Sequence, residues 1–509
     1  MLRTTVILLP SLVLAQNAPH IRDWKPPAAE RPVKPVTACN ALHGLTGYDL
    51  SVISTVQDPA TASAPEFCRV MVQVMPEILI EVSLPVAWNS RLYMFGNGGF
   101  AGENIEDPGR VARRDAALQL GFTVVQTNTG HDAQREPLAS FALHPQKLLD
   151  YAFRSLHVTA ETGKRLAAAF YGRRPAKSYY NGCSTGGRQG LMLAQRYPED
   201  FDGIIAGAPA FHMAANRLRS ISNAQALAAT PIPSSKLPLL AKYVYERCDA
   251  SDGLKDGLIS DPRLCDFQPK RDLAGCHDCF SAAEIPTLEK IYGEVRVKER
   301  RLAPAWPVGS EIAGPNGVAG WNGWILRDGS LGQGARYAES ALRYMVFGKF
   351  MPDYELSQFN FERDTQQFER HAAMLSATDP DLSRFRDRGG KLLMYFGWAD
   401  PALNPVLAIE YYEKVIQQMG PGTSQFFKFY LMPGVFHCSG GVGPACFDPL
   451  APVIHWVEEG KAPEALMATQ VENGRTVRAR PLCPYPQMAR YKGQGPPEEA
   501  ANFACAQLR

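Results

Sequence analysis

Neither sign of charge is in excess in this 509-residue chain: 53 Lys and Arg face 51 Asp and Glu, a formal net charge of +2. That near balance argues against a dedicated nucleic-acid binder, whose phosphate contacts need clustered cations. After the N-terminus there is no uninterrupted apolar run of ~18 residues, so no membrane-spanning helix is expected. No Asn-x-Ser/Thr acceptor occurs, so N-glycosylation is not expected. No solenoid-type repeat is visible. No cysteine set has zinc spacing: Cys276-His277-Asp278-Cys279 is a lone C-x-x-C without a second pair. What is present is ordinary for a globular protein, 45% hydrophobic and 20% charged residues. At ~150 residues per domain the length allows about three domains, although α/β enzymes often run longer as one unit.

The chain opens Met1-Leu2-Arg3 and continues with an apolar run from Thr4 to Leu14. Val13-Leu14-Ala15 fits the small-residue cleavage rule, which makes residues 1–15 a secretory signal and Gln16 the first mature residue. A buried N-terminal strand is the alternative. Residues 16–38 are Pro-rich. Behind an export signal, 11 cysteines suggest disulfides, and their odd number leaves at least one unpaired or shared between chains. The expected location is secreted or periplasmic.

Hydrophobic periodicity predicts a hairpin over 69–86 with Pro76 at its turn. Strands follow at 92–95, 122–127, 178–182 and 201–206. Helices are expected at 148–171, ended by Gly172, and at 185–197, ended by Pro198. Alternation then lapses: residues ~211 to ~385 are rich in Pro, Gly and Asp with scattered aromatics, and read as an inserted domain. It resumes with a strand at 391–398, a helix at 408–419, a strand at 426–431 and a helix at 450–459. Strands alternating with helices imply an α/β fold with a mostly parallel sheet covered on both faces.

Gly182-Cys183-Ser184-Thr185-Gly186 matches G-x-S-x-G between an expected strand and an expected helix. So tight a turn needs small flanking residues and presents the serine hydroxyl above the sheet. The following helix aims its first amides at the same place, where negative charge develops. A serine needs a base, and on this fold class the order is Ser, acid, His. Of the ten histidines only His437 and His455 lie beyond the strand at 391–398. His455 sits mid-helix; His437 opens a loop, His437-Cys438-Ser439-Gly440-Gly441, and is the candidate base. Asp400 ends the preceding strand and is the candidate orienter of the imidazole. A helix cap is its alternative role, since Pro401 follows. Cys183 precedes the serine and Cys438 follows the histidine; a bond between them would bring the two loops within ~6 Å. Two unrelated thiols are the alternative. For the oxyanion hole the candidates are the Thr185 and Gly99 amides, the latter in Gly96-Asn97-Gly98-Gly99, which otherwise reads as a plain loop turn. His131 and Asp132, at the end of a strand, read as a structural turn.

These motifs, with Gly397-Trp398-Ala399-Asp400 and Arg480-Pro481-Leu482-Cys483-Pro484-Tyr485-Pro486, resemble the tannase and feruloyl esterase family of α/β-hydrolases over nearly the whole mature chain. The resemblance implies a serine esterase with Ser184 as nucleophile, His437 as base and Asp400 as orienter. It implies the bridge Cys183–Cys438 and adds Cys39–Cys68, Cys248–Cys265, Cys276–Cys279 and Cys483–Cys505, leaving Cys446 over. It makes 39–210 with 386–509 the catalytic domain and 211–385 a lid that supplies most of the substrate pocket. Lid aromatics such as Trp321, Trp324, Tyr337 and Tyr344 are then core residues, with some lining an acyl pocket.

Within the lid, 249–259 resembles the family's calcium loop, with Asp249, Asp252, Asp256 and the carbonyls of Leu254 and Leu258 as oxygen ligands. Without the resemblance it is a doubled Asp-Gly turn. The implied Ca²⁺ is structural, and no organic cofactor is expected. The implied substrate is a small ester of an aromatic acid: feruloyl or galloyl, or alternatively a mono(2-hydroxyethyl) terephthalate-like diacid ester. No nucleic-acid or membrane partner is expected. The rival readings are a serine peptidase on the same fold and a non-catalytic binding protein.

Overall fold

The computed structural model describes residues 18–27, 30–276 and 279–507; the export signal read at 1–15 lies outside them. Residues 51 to 85 build three antiparallel strands, β1 (Ser51–Asp58), β2 (Phe67–Val74), whose side chains alternate in burial, and β3 (Ile78–Pro85), with Pro76 in the β2–β3 turn. β3 pairs antiparallel with β5 (Thr123–Thr127). From β5 onward every pairing is parallel, through β4 (Arg91–Phe95), β6 (Lys177–Cys183), β7 (Gly203–Gly207), β8 (Lys391–Gly397) and β9 (Phe427–Met432). The nine strands form one sheet in the order β1-β2-β3-β5-β4-β6-β7-β8-β9.

Parallel neighbours need crossovers, and helices supply them. The face carrying Tyr93, Phe95, Tyr179 and Leu393 packs against α1 (Pro108–Gln119) and α6 (Leu450–Glu459). The other face is covered by α2 (Ser155–Tyr171), α3 (Thr185–Arg196) and α5 (Pro405–Met419). Burial on both faces explains why Leu392 to Phe396 reads as an unbroken apolar run. The expected helix at 148–171 is three pieces: a short helix from Pro145, a π turn at Asp150–Arg154, and α2.

Between β7 and β8 the chain adds no strand to the sheet. Sequence patterning leaves this stretch irregular, yet it holds several helices, among them α4 (Met213–Ala229) and others at Leu237–Cys248, Gln333–Ala341 and Phe361–Leu375. α4 is buried around most of its circumference, Arg217 and Arg219 included, so no single apolar stripe marks it. A separate core gathers Leu240, Val244, Ile291, Trp306 and Trp321. After α6 two hairpins follow, Leu466–Glu472 with Arg475–Leu482 and Gln487–Tyr491 with Phe503–Gln507. Sulfur–sulfur bonds join Cys39–Cys68, Cys183–Cys438, Cys248–Cys265, Cys276–Cys279 and Cys483–Cys505, and Cys446 is a free thiol.

Candidate active site

β6 runs into α3 through a single residue, Ser184, at φ 63 and ψ −121. This is a left-handed conformation that a non-glycine residue adopts only under constraint. The constraint is visible: the Ser184 amide donates to the Gly207 carbonyl at 3.0 Å, and the Ser184 carbonyl accepts from Ala210 N at 3.0 Å. The turn leaves no room for larger neighbours. A Cβ on Gly182 would stand 2.6 Å from the carbonyl carbon of Gly186. Behind the elbow the buried Arg188 donates to the carbonyls of Tyr151, Ala152 and Leu375, fixing α3 against the π turn.

The partners come from the ends of β8 and β9. His437 Nε2 lies 2.9 Å from Ser184 Oγ, and His437 Nδ1 lies 2.8 Å from Asp400 Oδ2. Asp400 is buried, and its other oxygen accepts from the Ala402 and Leu403 amides at 2.8 and 3.0 Å. Asp400 thus faces the imidazole and braces the turn after β8, but it is not a helix cap: α5 is capped by Asn404, whose side chain accepts from the Val406 amide at 3.0 Å. The Trp324 ring meets the His437 ring edge-on at 5.1 Å, so this aromatic of the inserted segment stands against the candidate base. Trp321 is fully buried, and Tyr344 stacks on Phe350. His455, in contrast, pairs on the surface with Glu459.

The loop after β4 lies beside the elbow. The Thr185 hydroxyl donates to the Gly99 carbonyl at 2.5 Å, and the Tyr151 hydroxyl reaches it at 3.4 Å. Among the described residues the Gly99 and Thr185 amides take part in no hydrogen bond. Gly99 has φ +50, and a Cβ there would meet Tyr337 Oη at 2.7 Å. The side-chain contact between Thr185 and Gly99 has no signature in the sequence; only the positions of the two residues were legible.

His131 is not a second dyad. Its ring is buried, stacked on Phe141 at 3.9 Å, and neither nitrogen has a hydrogen-bond partner. Burial first, and the Lys147 ammonium second, push it from 6.5 down to about 4. The sign follows from linkage: the unfolded imidazole binds a proton below ~6.5 while the folded one stays neutral, so stability is lost as pH falls from ~6.5 toward ~4. The expected loss is up to about 3 kcal/mol. Melting temperatures of wild type and His131→Gln across pH 4–7 check it; parallel curves would remove His131 as the cause.

A family model described as tannase and feruloyl esterase matches residues 62–506. The chain belongs to this family. Mono(2-hydroxyethyl) terephthalate hydrolase of Piscinibacter sakaiensis is 34% identical, across 88% of this chain and 86% of that protein. A probable feruloyl esterase B-2 of Aspergillus terreus is 33% identical across 84% of each. The crystal structure of feruloyl esterase B from Aspergillus oryzae matches with a TM-score of 0.81 at 26% identity, covering 92% of this chain and 100% of that one. The protein is an ester hydrolase of the tannase and feruloyl esterase type on an α/β-hydrolase fold.

The loop of the esterase read as a calcium site holds its carboxylates in three different ways. Asp249 accepts from the amides of Asp256, Gly257 and Leu258 at 3.0–3.3 Å. Asp252 accepts from Leu254 N at 2.9 Å. Asp256 pairs with the buried Arg480 through one oxygen, while its Oδ1 is buried without a partner. Burial pushes the Asp256 carboxyl up, against the opposing pull of Arg478 and Arg480. The three carboxylates do not close on a common point; among the described residues the ligand atoms that do are those of His20, Asp23 and Asp448. The donors are nonetheless all oxygens, and an orphaned, buried carboxylate oxygen is what a hard cation would satisfy.

Proposed function

We propose that the protein is a secreted serine esterase that cleaves esters of small aromatic acids through a Ser184–His437–Asp400 triad. The observation that carries this is the unbroken hydrogen-bonded chain from Ser184 Oγ through both nitrogens of His437 to Asp400, at 2.9 and 2.8 Å. In the first step His437 Nε2 takes the Ser184 proton as Oγ attacks the ester carbonyl carbon. The oxyanion that forms is held by the unengaged amides of Gly99 and Thr185. The imidazolium, stabilised by Asp400, protonates the departing alcohol oxygen. A water, deprotonated by the same imidazole, then frees the acid and restores Ser184.

The acyl class is read from the relatives and from the site walls. Trp324 beside His437 and Tyr337 beside Gly99 give flat apolar surface within reach of the reacting carbonyl. We take a hydroxycinnamoyl or galloyl ester as the first reading. A terephthaloyl half-ester is the second, favoured by the relative in Piscinibacter sakaiensis. Export agrees with five disulfides and the N-terminal apolar run. The test is a steady-state panel of methyl ferulate, methyl gallate and mono(2-hydroxyethyl) terephthalate on the oxidised protein. Failure to turn over any aryl ester, with Ser184 unreactive to a fluorophosphonate, would defeat the proposal.

The same reading takes 211–385 as a lid and 249–259 as its structural Ca²⁺ loop, held by Asp249, Asp252, Asp256 and the Leu254 and Leu258 carbonyls. A cation there would offset the negative charge of the loop and brace the lid near the Arg478 and Arg480 hairpin. Saturating Ca²⁺ at ~100 times its Kd adds about 2.7 kcal/mol. We expect EGTA to lower Tm by about 5 °C and added Ca²⁺ to restore it, with no such response in Asp256→Asn. A Tm indifferent to EGTA would show that the loop is a plain turn.

A further inference from the structure

A side chain outside the triad engages the Gly96–Gly99 loop. Glu103 follows the loop and folds back on it. Its Oε1 accepts from the Gly98 amide at 2.6 Å, and its Oε2 accepts from Asn97 Nδ2 at 2.7 Å. Asn97 is buried and held on every side. Its amide donates to Gln189 Oε1 at 3.0 Å, its Oδ1 accepts from Gln189 Nε2 at 3.2 Å, and its Nδ2 also donates to the Thr127 carbonyl at 2.9 Å. Gln189 lies on α3, one turn after Ser184, so the network ties the loop to the helix that carries the nucleophile. Arg110 Nη1, 3.8 Å from Glu103 Oε2, holds the carboxylate from its other side.

We infer that Glu103 is a positioning residue for the ester-cleaving reaction: by engaging the Gly98 N–H it fixes the peptide planes of the loop so that the Gly99 N–H is the one left for the oxyanion. The inference rests on the reading of Gly99 as an oxyanion donor. The loop needs such a brace because its backbone is unusual at several points. Gly99, Ala101 and Gly102 have φ of +50, +61 and +77, and glycines at 96, 98 and 99 add conformational freedom that unbraced would be sampled. Glu103 also lines a cleft of about 380 Å³ shared with Glu77, Asn104 and His131, a lining that does not include Ser184.

The test compares wild type, Ser184→Ala, Glu103→Ala and Glu103→Gln on the best substrate of the panel. Turnover by wild type and its loss in Ser184→Ala establish first that the esterase reading stands. Displacing an oxyanion donor costs about 10²-fold in rate. For Glu103→Ala we expect kcat to fall about 10²-fold with KM within about threefold, and an arylboronate transition-state mimic to bind weaker by the same factor as kcat/KM. Affinity for the free aromatic acid should stay unchanged. Glu103→Gln keeps an acceptor for Gly98 N–H and should recover to within about tenfold of wild type. An active wild type with kcat unchanged in Glu103→Ala overturns the proposal. So does a Glu103→Ala variant whose losses fall equally on KM, product affinity and folding, because that is the mark of a merely structural side chain. If Glu103→Ala does not fold, Glu103→Gln decides alone: full loss of kcat with native Tm would contradict the acceptor role.

Discussion

Ser184→Ala is expected to lower kcat/KM for the preferred ester by about 10⁴- to 10⁶-fold while leaving Tm within a degree or two. The size follows from the chemistry: water must replace a covalent nucleophile, and only the oxyanion amides and substrate binding remain. His437→Ala removes the base from the same step, so it should cost about as much, and the double variant should be no worse than either single one. Asp400 separates the two roles its contacts show. Asp400→Asn keeps an oxygen for the Ala402 and Leu403 amides but turns an N–H toward His437 Nδ1, which holds the wrong tautomer. It should therefore lose about 10⁴ in kcat with little loss of stability. Asp400→Ala should lose activity and Tm together, since two buried amides are left unpaired. Fluorophosphonate labelling and a burst with a p-nitrophenyl ester read the outcome directly. Equal activity in wild type and Ser184→Ala would move the chemistry elsewhere in the molecule.

The parts of this site that the sequence discloses are those enforced over a few residues. A strand, one residue at positive φ and a helix require small neighbours, so Gly182, Gly186 and Ser184 identify the elbow from local pattern alone. Asp400 and His437 follow because each lies in the loop after a strand that alternation already marks. What the sequence conceals depends on surroundings. α4 escapes because burial of most of its circumference erases periodicity, and β1 and the terminal hairpins escape because their exposed polar residues imitate loops. Cys446 shows no partner in either sequence or structure among the cysteines. Glu103 was invisible for a different reason: nothing local distinguishes a glutamate that folds back on a preceding loop from one that faces solvent. The Asp-rich loop at 249–259 is the intermediate case, where spacing brings the donors onto one turn but Arg480, from a hairpin more than two hundred residues on, draws Asp256 aside.

Removing the Cys183–Cys438 bond should damage activity in a way that removing another bond of the same protein does not. The two sulfurs join residues whose Cα atoms are 5.9 Å apart and 255 positions apart in sequence. Ser184 and Cys438 both sit at positive φ, 63 and 64, a strain of order 1–3 kcal/mol at each that only surrounding structure can hold. The bond is part of that surrounding structure, since it fixes the residue before Ser184 to the residue after His437. Chain entropy sets an upper figure of roughly 5 kcal/mol for closing so long a loop. For Cys39–Cys68, separated by 29 positions, the same model gives roughly 3.5 kcal/mol. Both double alanine variants should therefore melt below wild type, by about 3–5 °C. Their kinetics should part. Cys39→Ala/Cys68→Ala, at the far edge of the sheet, should keep kcat within about twofold at a temperature where it is folded. Cys183→Ala/Cys438→Ala should lose at least about 10²-fold under the same conditions, because a displacement of ~1 Å between Oγ and Nε2 is enough to cost that much. Thermal melts paired with kcat at 15 °C distinguish the cases. Equal retention of kcat in both variants would mean that the elbow and the histidine loop hold their positions without the bond, and that its contribution is to stability alone.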